Sequence, residues 1–256
     1  MTGKHKYMAA IIDLSGVLYI DEHAVPGSVE AYQHLLDSGL PHCFLTNTTR
    51  QTRDSLCRNL QHMGYDIAPE RVMTAASAAH AYVQQHRLRP YLLIHPDLQD
   101  EFDDLDCQNP NAVVVGDAGQ NFTYERMNAA FRVLTNNGDA PLIAMGANRY
   151  FKEDDGLSLD MGPFVRALEY ASGRRAVFTG KPAASFFRAA LHAVDKSAAE
   201  TVIIGDDLEN DIGGAQATGI DGILVRTGKF RPEDETATMA PLAIVDNFSA
   251  AIDSIL

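Results

Sequence analysis

Asp13-Leu14-Ser15-Gly16, Thr46-Asn47-Thr48, Thr179-Gly180-Lys181-Pro182 and Gly205-Asp206-Asp207, with Asp211 shortly after, are polar stretches that each follow a short apolar run. Carboxylates, a hydroxyl and a lysine are what displacement at phosphorus asks of a protein: a positioned nucleophile and charge to stabilise the transferring group. Asp13 can attack phosphorus and form an aspartyl-phosphate. An anionic phosphate repels a carboxylate, so a divalent cation is required, and Asp206 can hold one together with Asp13. Oxygen ligands completed by water and phosphate suit Mg²⁺. Thr46 can donate its hydroxyl to a phosphoryl oxygen. Asn47 and the amides of Thr48 and Thr49 stand where a helix begins, a natural anion site. Lys181 offers a point charge to both Asp13 and the phosphate. Asp211 fits an outer position that orders waters and ligands, and Asp207 fits either role. Taken singly, each residue reads as a turn former, a helix cap or a surface lysine. As an ordered set they point to catalysis.

Such residues need elements that bring them together. The runs Tyr7 to Ile12, His42 to Leu45, Ala176 to Phe178 and Thr201 to Ile204 are continuously apolar, as parallel strands buried on both faces are. Ligand sites of open parallel sheets form beyond the carboxyl ends of the strands, so the four polar endings are expected on one edge of one sheet. Helices are expected at Val29 to Ser38 and Gln51 to Met63, each stopped by a glycine. Another is expected from Pro182 through Ala193, and a short one from Asp211 to Thr218. A further strand (Gly222 to Val225), an apolar run (Leu242 to Val245) and a terminal helix follow. Residues 74–175 carry strand and helix patterns of their own and interrupt the sheet between its second and third polar ends. The expected architecture is therefore α/β: a Rossmann-like, doubly wound parallel sheet (1–73 and 176–256) with an inserted α/β cap (74–175).

With 256 residues, 46% hydrophobic and 21% charged, the chain has ordinary globular composition. A net charge of −13 excludes nucleic acid as the main partner, while leaving room for a small phosphorylated substrate in a locally basic pocket. Three scattered cysteines fit reduced thiols, and nine histidines show no zinc spacing. Met1 to Lys6 is short and basic and precedes no signal-peptide pattern, and no apolar stretch reaches the ~18 residues of a membrane span. A cytoplasmic protein without membrane partners is expected.

The stretches Asp13-Leu14-Ser15-Gly16-Val17-Leu18, Thr46-Asn47, Lys181-Pro182 and Gly205-Asp206-Asp207 with Asp211 resemble, in order, the four motifs of the haloacid-dehalogenase superfamily. The place and mixed character of the insertion resemble its class IIA, the NagD-like group. The flanks, including Asp155-Gly156-Leu157, resemble members that act on pyrophosphate and phosphoramidates. The resemblance covers essentially the whole chain. It implies a Mg²⁺-dependent phosphatase with Asp13 and Lys181 catalytic, and a metal held by Asp13, Asp206 and the backbone carbonyl of Ser15. Substrate would be held by Ser15, Thr46, Asn47 and Lys181, with Asp207 and Asp211 behind the metal site. Relatives of this group also make a homodimer through the cap plausible.

Ser15 departs from the pattern, because most members carry an aspartate there as general acid and base. A serine hydroxyl does not titrate near neutral pH and cannot serve usefully as that acid or base. The expected substrates therefore have leaving groups that need little protonation: pyrophosphate, phosphoramidates, and aryl or acyl phosphates. A weakly active or regulatory phosphate-binding homologue is the alternative, and a metal-independent dehalogenase is disfavoured by the Asp206 site. Substrate choice is assigned to the insertion, where a loop from Asn148 to Gly162 with Arg149, Tyr150, Lys152 and Asp155 is a candidate. Arg226-Thr227-Gly228-Lys229 reads as a plain strand-to-loop turn, Gly213-Gly214 as a helix-packing pair, and Cys43 as core.

Overall fold

In the computed structural model, which describes residues 7–136, 138–153 and 156–256, the first apolar run becomes strand β1 (Ala9–Ile12). The expectations for Met1 to Lys6 and Asp155 concern residues outside those described. A small hairpin, β2 (Tyr19–Ile20) and β3 (His23–Ala24), leads to α1 (Ser28–Ser38), β4 (His42–Thr46), α2 (Arg53–His62), β5 (Val72–Thr74) and α3 (Ala75–Gln85). Next come β6 (Pro90–Leu93), β7 (Ala112–Val115), α4 (Tyr124–Asn136), β8 (Leu142–Ala144), β9 (Tyr150–Glu153), β10 (Gly156–Leu159) and α5 (Met161–Ser172). The chain continues through β11 (Ala176–Phe178), α6 (Ala184–Val194), β12 (Thr201–Gly205) and a π-helical segment, Leu208–Gly213, that runs into a single turn, α7 (Gly214–Gln216). It ends with β13 (Asp221–Val225), β14 (Ala243–Val245) and α8 (Phe248–Ile255). No helix among the described residues is long and apolar enough to cross a membrane.

These residues divide into two compact units. The first comprises the chain as far as Thr46, Asp54–Met73 and Lys181–Leu256. Its sheet has the order β14-β13-β12-β1-β4-β5, and the pairs β13–β14, β12–β13, β1–β12 and β1–β4 are all parallel. The central strands are apolar at every position because helices cover both faces: α1 and α8 pack on each other, with α8 also against β13 and β14, while α6 packs against β1 and β4. Ile12, Phe44, Val202 and Ile204 belong to one buried cluster with Leu35, Leu60 and Phe248. Each such side chain stabilises the fold by roughly 1.5–3 kcal/mol relative to exposure. In register, Ile12 faces Ile204 on one side and Phe44 on the other. Asp13, Gly205-Asp206 and Thr46 therefore emerge at neighbouring carboxyl ends of three adjacent strands.

The second unit, Asn47–Arg53 and Thr74–Gly180, has its own sheet in the order β11-β8-β7-β6, also parallel, and a separate hairpin of β9 against β10. Its core is a distinct cluster that includes Leu93, Val114, Ile143, Leu134 and Leu168.

Four expectations need correction. The run Ala176 to Phe178 does not join the first sheet: β11 pairs with β8 and is an edge strand of the second. Its burial alternates, with Val177 exposed, as befits an edge rather than a central strand. The stretch from Asn148 to Gly162 is not simply a loop, because Tyr150–Glu153 pairs with Gly156–Leu159 and Gly162-Pro163 already lie in α5. Pro182 precedes α6, which starts at Ala184, and the Lys181–Pro182 peptide is cis. Winding after β12 begins at Leu208 rather than Asp211, because Asp207 caps it by accepting from the amides of Glu209 and Asn210.

Candidate active site

Asp13 directly continues β1, and its amide donates to the Ile204 carbonyl of β12 at 2.9 Å, which fixes its start. The chain then turns tightly, with the amides of Val17 and Leu18 donating to the Leu14 carbonyl. Gly16 adopts φ +86°, and a Cβ there would collide with the Asp206 carboxylate. Ser15 sits exposed on this turn, two residues beyond Asp13.

Lys181 is the organising cation. Its Nζ lies 2.6 Å from Asp13 Oδ1 and 2.6 Å from Asp211 Oδ1, with only 4% of the side chain exposed. Burial disfavours the ammonium, but the two carboxylates outweigh it and hold its pKa above the ordinary lysine value. Asp211 is fully buried and also accepts from the amides of Asp206 and Asp207 through Oδ2, at 3.2 and 3.1 Å. Burial pushes its pKa up to about 6, against the pull of Lys181.

Asp206 is buried beside both. Its Oδ2 accepts from the Lys229 amide at 2.7 Å, while Oδ1 is buried without a hydrogen-bond partner among the described residues. Burial, then repulsion from Asp13 and Asp211, pushes its pKa up to about 8. Asp13, Asp206 and Asp211 each turn a carboxylate oxygen into a space where those oxygens lie within 4.8 Å of one another. An orphaned buried oxygen in an all-carboxylate set fits a hard divalent cation such as Mg²⁺, which would satisfy the orphan and offset the repulsion. Asp207 stands apart from that set. Its carboxylate caps the following helical segment and accepts from Asn210 Nδ2 at 2.8 Å and Lys229 Nζ at 3.2 Å. Burial opposes its ionised form, but Lys229 and the Asn210 contacts hold its pKa below the usual aspartate value.

Thr46 ends β4 and is buried, next to β1 in the sheet. Asn47 begins the short segment that groups with the second unit, where its side chain lies against Gly180, the residue before Lys181. Asp13, Lys181, Asp206 and Asp211 are thus drawn into direct contact, Thr46 and Ser15 border Asp13 through strand and turn, and Asp207 looks toward Lys229.

The loop after β13 is the part that sequence reasoning missed. Besides the amide and ammonium of Lys229, Thr227 donates its hydroxyl to the Gly16 carbonyl. Gly228 adopts φ +62°, and a Cβ there would strike Asp206 and Gly16. A signal existed: Thr227-Gly228-Lys229 repeats Thr179-Gly180-Lys181, each just after an apolar strand.

A parallel sheet with this aspartate-lysine cluster beyond its carboxyl ends, interrupted in sequence by a second α/β unit, defines a haloacid dehalogenase-like hydrolase, and the chain belongs to that family. Residues 10–108 match the haloacid dehalogenase-like hydrolase model and 178–251 the HAD-hydrolase-like model. Among relatives, the chain is 46% identical over 251 residues to phospholysine phosphohistidine inorganic pyrophosphate phosphatase of Danio rerio, covering 96% of this chain and 93% of that protein. It is 42% identical over 257 residues to haloacid dehalogenase-like hydrolase domain-containing protein 2 of Bos taurus, covering 100% and 98%. Among solved structures, 4-nitrophenylphosphatase from Thermotoga maritima superposes with a TM-score of 0.89 at 27% identity, covering 98% of both chains. NagD from E. coli K-12 does so at 0.84 and 28%, covering 95% of this chain and 98% of that one.

Proposed function

We propose that this hydrolase is a Mg²⁺-dependent phosphatase that works through an aspartyl-phosphate on Asp13 and favours substrates with good leaving groups. The observation that carries the reading is Lys181 Nζ, buried and 2.6 Å from both Asp13 and Asp211, beside an Asp206 whose Oδ1 has no hydrogen-bond partner among the described residues. Asp13, Asp206 and the Ser15 carbonyl would hold the cation, which when bound offsets the charge of the phosphoryl group and of the attacking carboxylate.

The chain's own residues do the rest. Lys181 orients Asp13 and offers positive charge to the phosphoryl oxygens as the leaving group departs. Thr46 supplies a further donor to those oxygens. Asp211 holds Lys181 and, through the amides of Asp206 and Asp207, the turn that carries Asp206. Asp207, occupied by its cap and by Lys229, stays out of the ligand set. Ser15 offers no proton at neutral pH, so the leaving group must depart unaided. Pyrophosphate, phosphoramidates, and aryl or acyl phosphates meet that condition. The names of the relatives, which include pyrophosphate, phospholysine and nitrophenyl phosphate as substrates, support the same range.

The experiment is phosphate release with and without Mg²⁺ on pyrophosphate, p-nitrophenyl phosphate, a phosphoramidate and several alkyl monophosphates, with Asp13→Asn alongside. Mg²⁺-dependent turnover of the first three, lost in Asp13→Asn, is expected. Turnover without any metal would overturn the reading in favour of a metal-independent hydrolase, and phosphate binding without turnover would favour a regulatory homologue.

Self-association through the second unit belongs to the same proposal. Tyr150, Leu157 and Leu159 on the hairpin and Val177 on edge strand β11 are exposed, and light scattering that gave a monomer mass would overturn it. Scattered cysteines support a reducing, cytoplasmic setting.

A further inference from the structure

The loop after β13 brings a second lysine to the carboxylate cluster, on a different flank from the first. Lys181 is spent on Asp13 and Asp211. Lys229 engages the other two aspartates, Asp206 through its backbone amide at 2.7 Å and Asp207 through its ammonium at 3.2 Å. Its position is fixed from below by the Thr227 hydroxyl on the Gly16 carbonyl and by Gly228, whose missing side chain lets the loop close on Asp206. The side chain is 63% exposed, so this lysine is not a core contact. Four carboxylates (Asp13, Asp206, Asp207, Asp211) and two ammoniums leave two negative charges, which one divalent cation balances.

We infer that Lys229 is a charge-balancing positioning residue: its amide aims Asp206 Oδ1 at the cation, and its ammonium sets the affinities for cation and phosphate against each other. The inference rests on the metal-dependent reading above. The amide bond occupies Asp206 Oδ2 and leaves Oδ1 as the oxygen without a partner among the described residues. The ammonium lowers the negative potential around Asp206 and Asp207. Cation binding is thereby weakened and the approach of an anionic phosphate is eased, opposite effects from one charge. Removing the charge while keeping the backbone must therefore move the two affinities in opposite directions. Damage to the loop would instead weaken both.

The test is calorimetric titration of the wild-type protein, Lys229→Met and Lys229→Arg with Mg²⁺ alone, followed by inorganic phosphate at saturating Mg²⁺. Lys229→Met is expected to bind Mg²⁺ about three- to tenfold more tightly and phosphate weaker by a similar factor. Lys229→Arg is expected to return both constants toward wild type. Because the ammonium is exposed, both differences are expected to shrink at high salt. Weaker or unchanged Mg²⁺ binding in Lys229→Met overturns the charge balance, as does Lys229→Arg behaving like Lys229→Met. A wild-type protein that takes up no Mg²⁺ overturns the metal-dependent reading itself, a failure visible before any variant is compared.

Discussion

At the scale of single residues, the site is a trade between repulsion and one buried cation. Asp13 and Asp211 share Lys181 at 2.6 Å each, and all three side chains are buried. Lys181→Met removes the charge and leaves two carboxylates facing each other, at a cost on the order of 3–5 kcal/mol in metal-free stability. Added Mg²⁺ is expected to restore part of that loss even though turnover falls by at least about a hundredfold. Urea denaturation with and without Mg²⁺ checks this, and a variant as stable as wild type without metal would contradict it. Ser15 is the other decisive residue, exposed on the turn. Ser15→Asp places a titratable group two residues after Asp13, so on the proposed mechanism turnover of alkyl phosphates should rise far more than that of pyrophosphate. Equal gains on both would show that leaving-group protonation is not what Ser15 forgoes.

At the scale of elements, strand β4 carries a histidine whose burial makes the fold sensitive to acid. His42 stands edge-on to Tyr32 and Phe44, with ring centroids 6.1 and 5.7 Å away. Its Nδ1 is 2.8 Å from the Leu40 carbonyl and its Nε2 is 3.0 Å from Arg71. Nδ1 thus donates while Nε2 accepts, as a neutral ring does. Burial lowers its pKa and Arg71 adds to this, while the Leu40 contact opposes it. The unfolded chain therefore takes up the proton first. Stability from the neutral ring is full above the unfolded value of about 6.5 and is lost as pH falls below it. His42→Gln should lose less stability than wild type between about pH 7.5 and about pH 5.5, and an equal loss would place the acid sensitivity elsewhere. Elements also explain what was legible beforehand. Asp13, Thr46 and Asp206 could be read because each follows a strand buried on both faces, whose apolar run marks the sheet and whose polar end marks the site. Ala176-Val177-Phe178 was apolar enough to predict a strand, but three residues do not say which sheet they join. The hairpin at Tyr150 to Leu159 was passed over although Leu157 and Leu159 alternate with polar neighbours, because exposed leucines do not look like a buried strand face. The Thr-Gly-Lys repeat marked the loop, but not the partner of its Lys229 amide. That contact is made by a backbone amide across 23 residues, and backbone donors have no signature in residue type.

At the scale of the whole molecule, the site has to recruit anions into a protein whose formal charge is −13. The two lysines of the site act over a few ångströms, while the surplus of carboxylates acts over the screening length of the solution. That length is roughly 30 Å at 0.01 M salt and about 8 Å at 0.15 M. At low salt a phosphorylated substrate meets the repulsion of the whole chain before it meets Lys181. At physiological salt the repulsion of the distant carboxylates is screened, and the short-range pull of the lysines and the cation on the phosphoryl group remains. The ratio kcat/KM should therefore rise by about two- to fivefold between those conditions, the reverse of what electrostatic steering produces. The rise should be larger for pyrophosphate than for the less charged p-nitrophenyl phosphate, and it should lie mainly in KM, since screening alters encounter more than the chemical step. Initial rates at fixed saturating Mg²⁺ across a salt series decide the point. A rate that falls with salt would mean that the field at the mouth of the site is positive at long range, and that the lysines of the carboxyl edge outweigh the net charge of the chain.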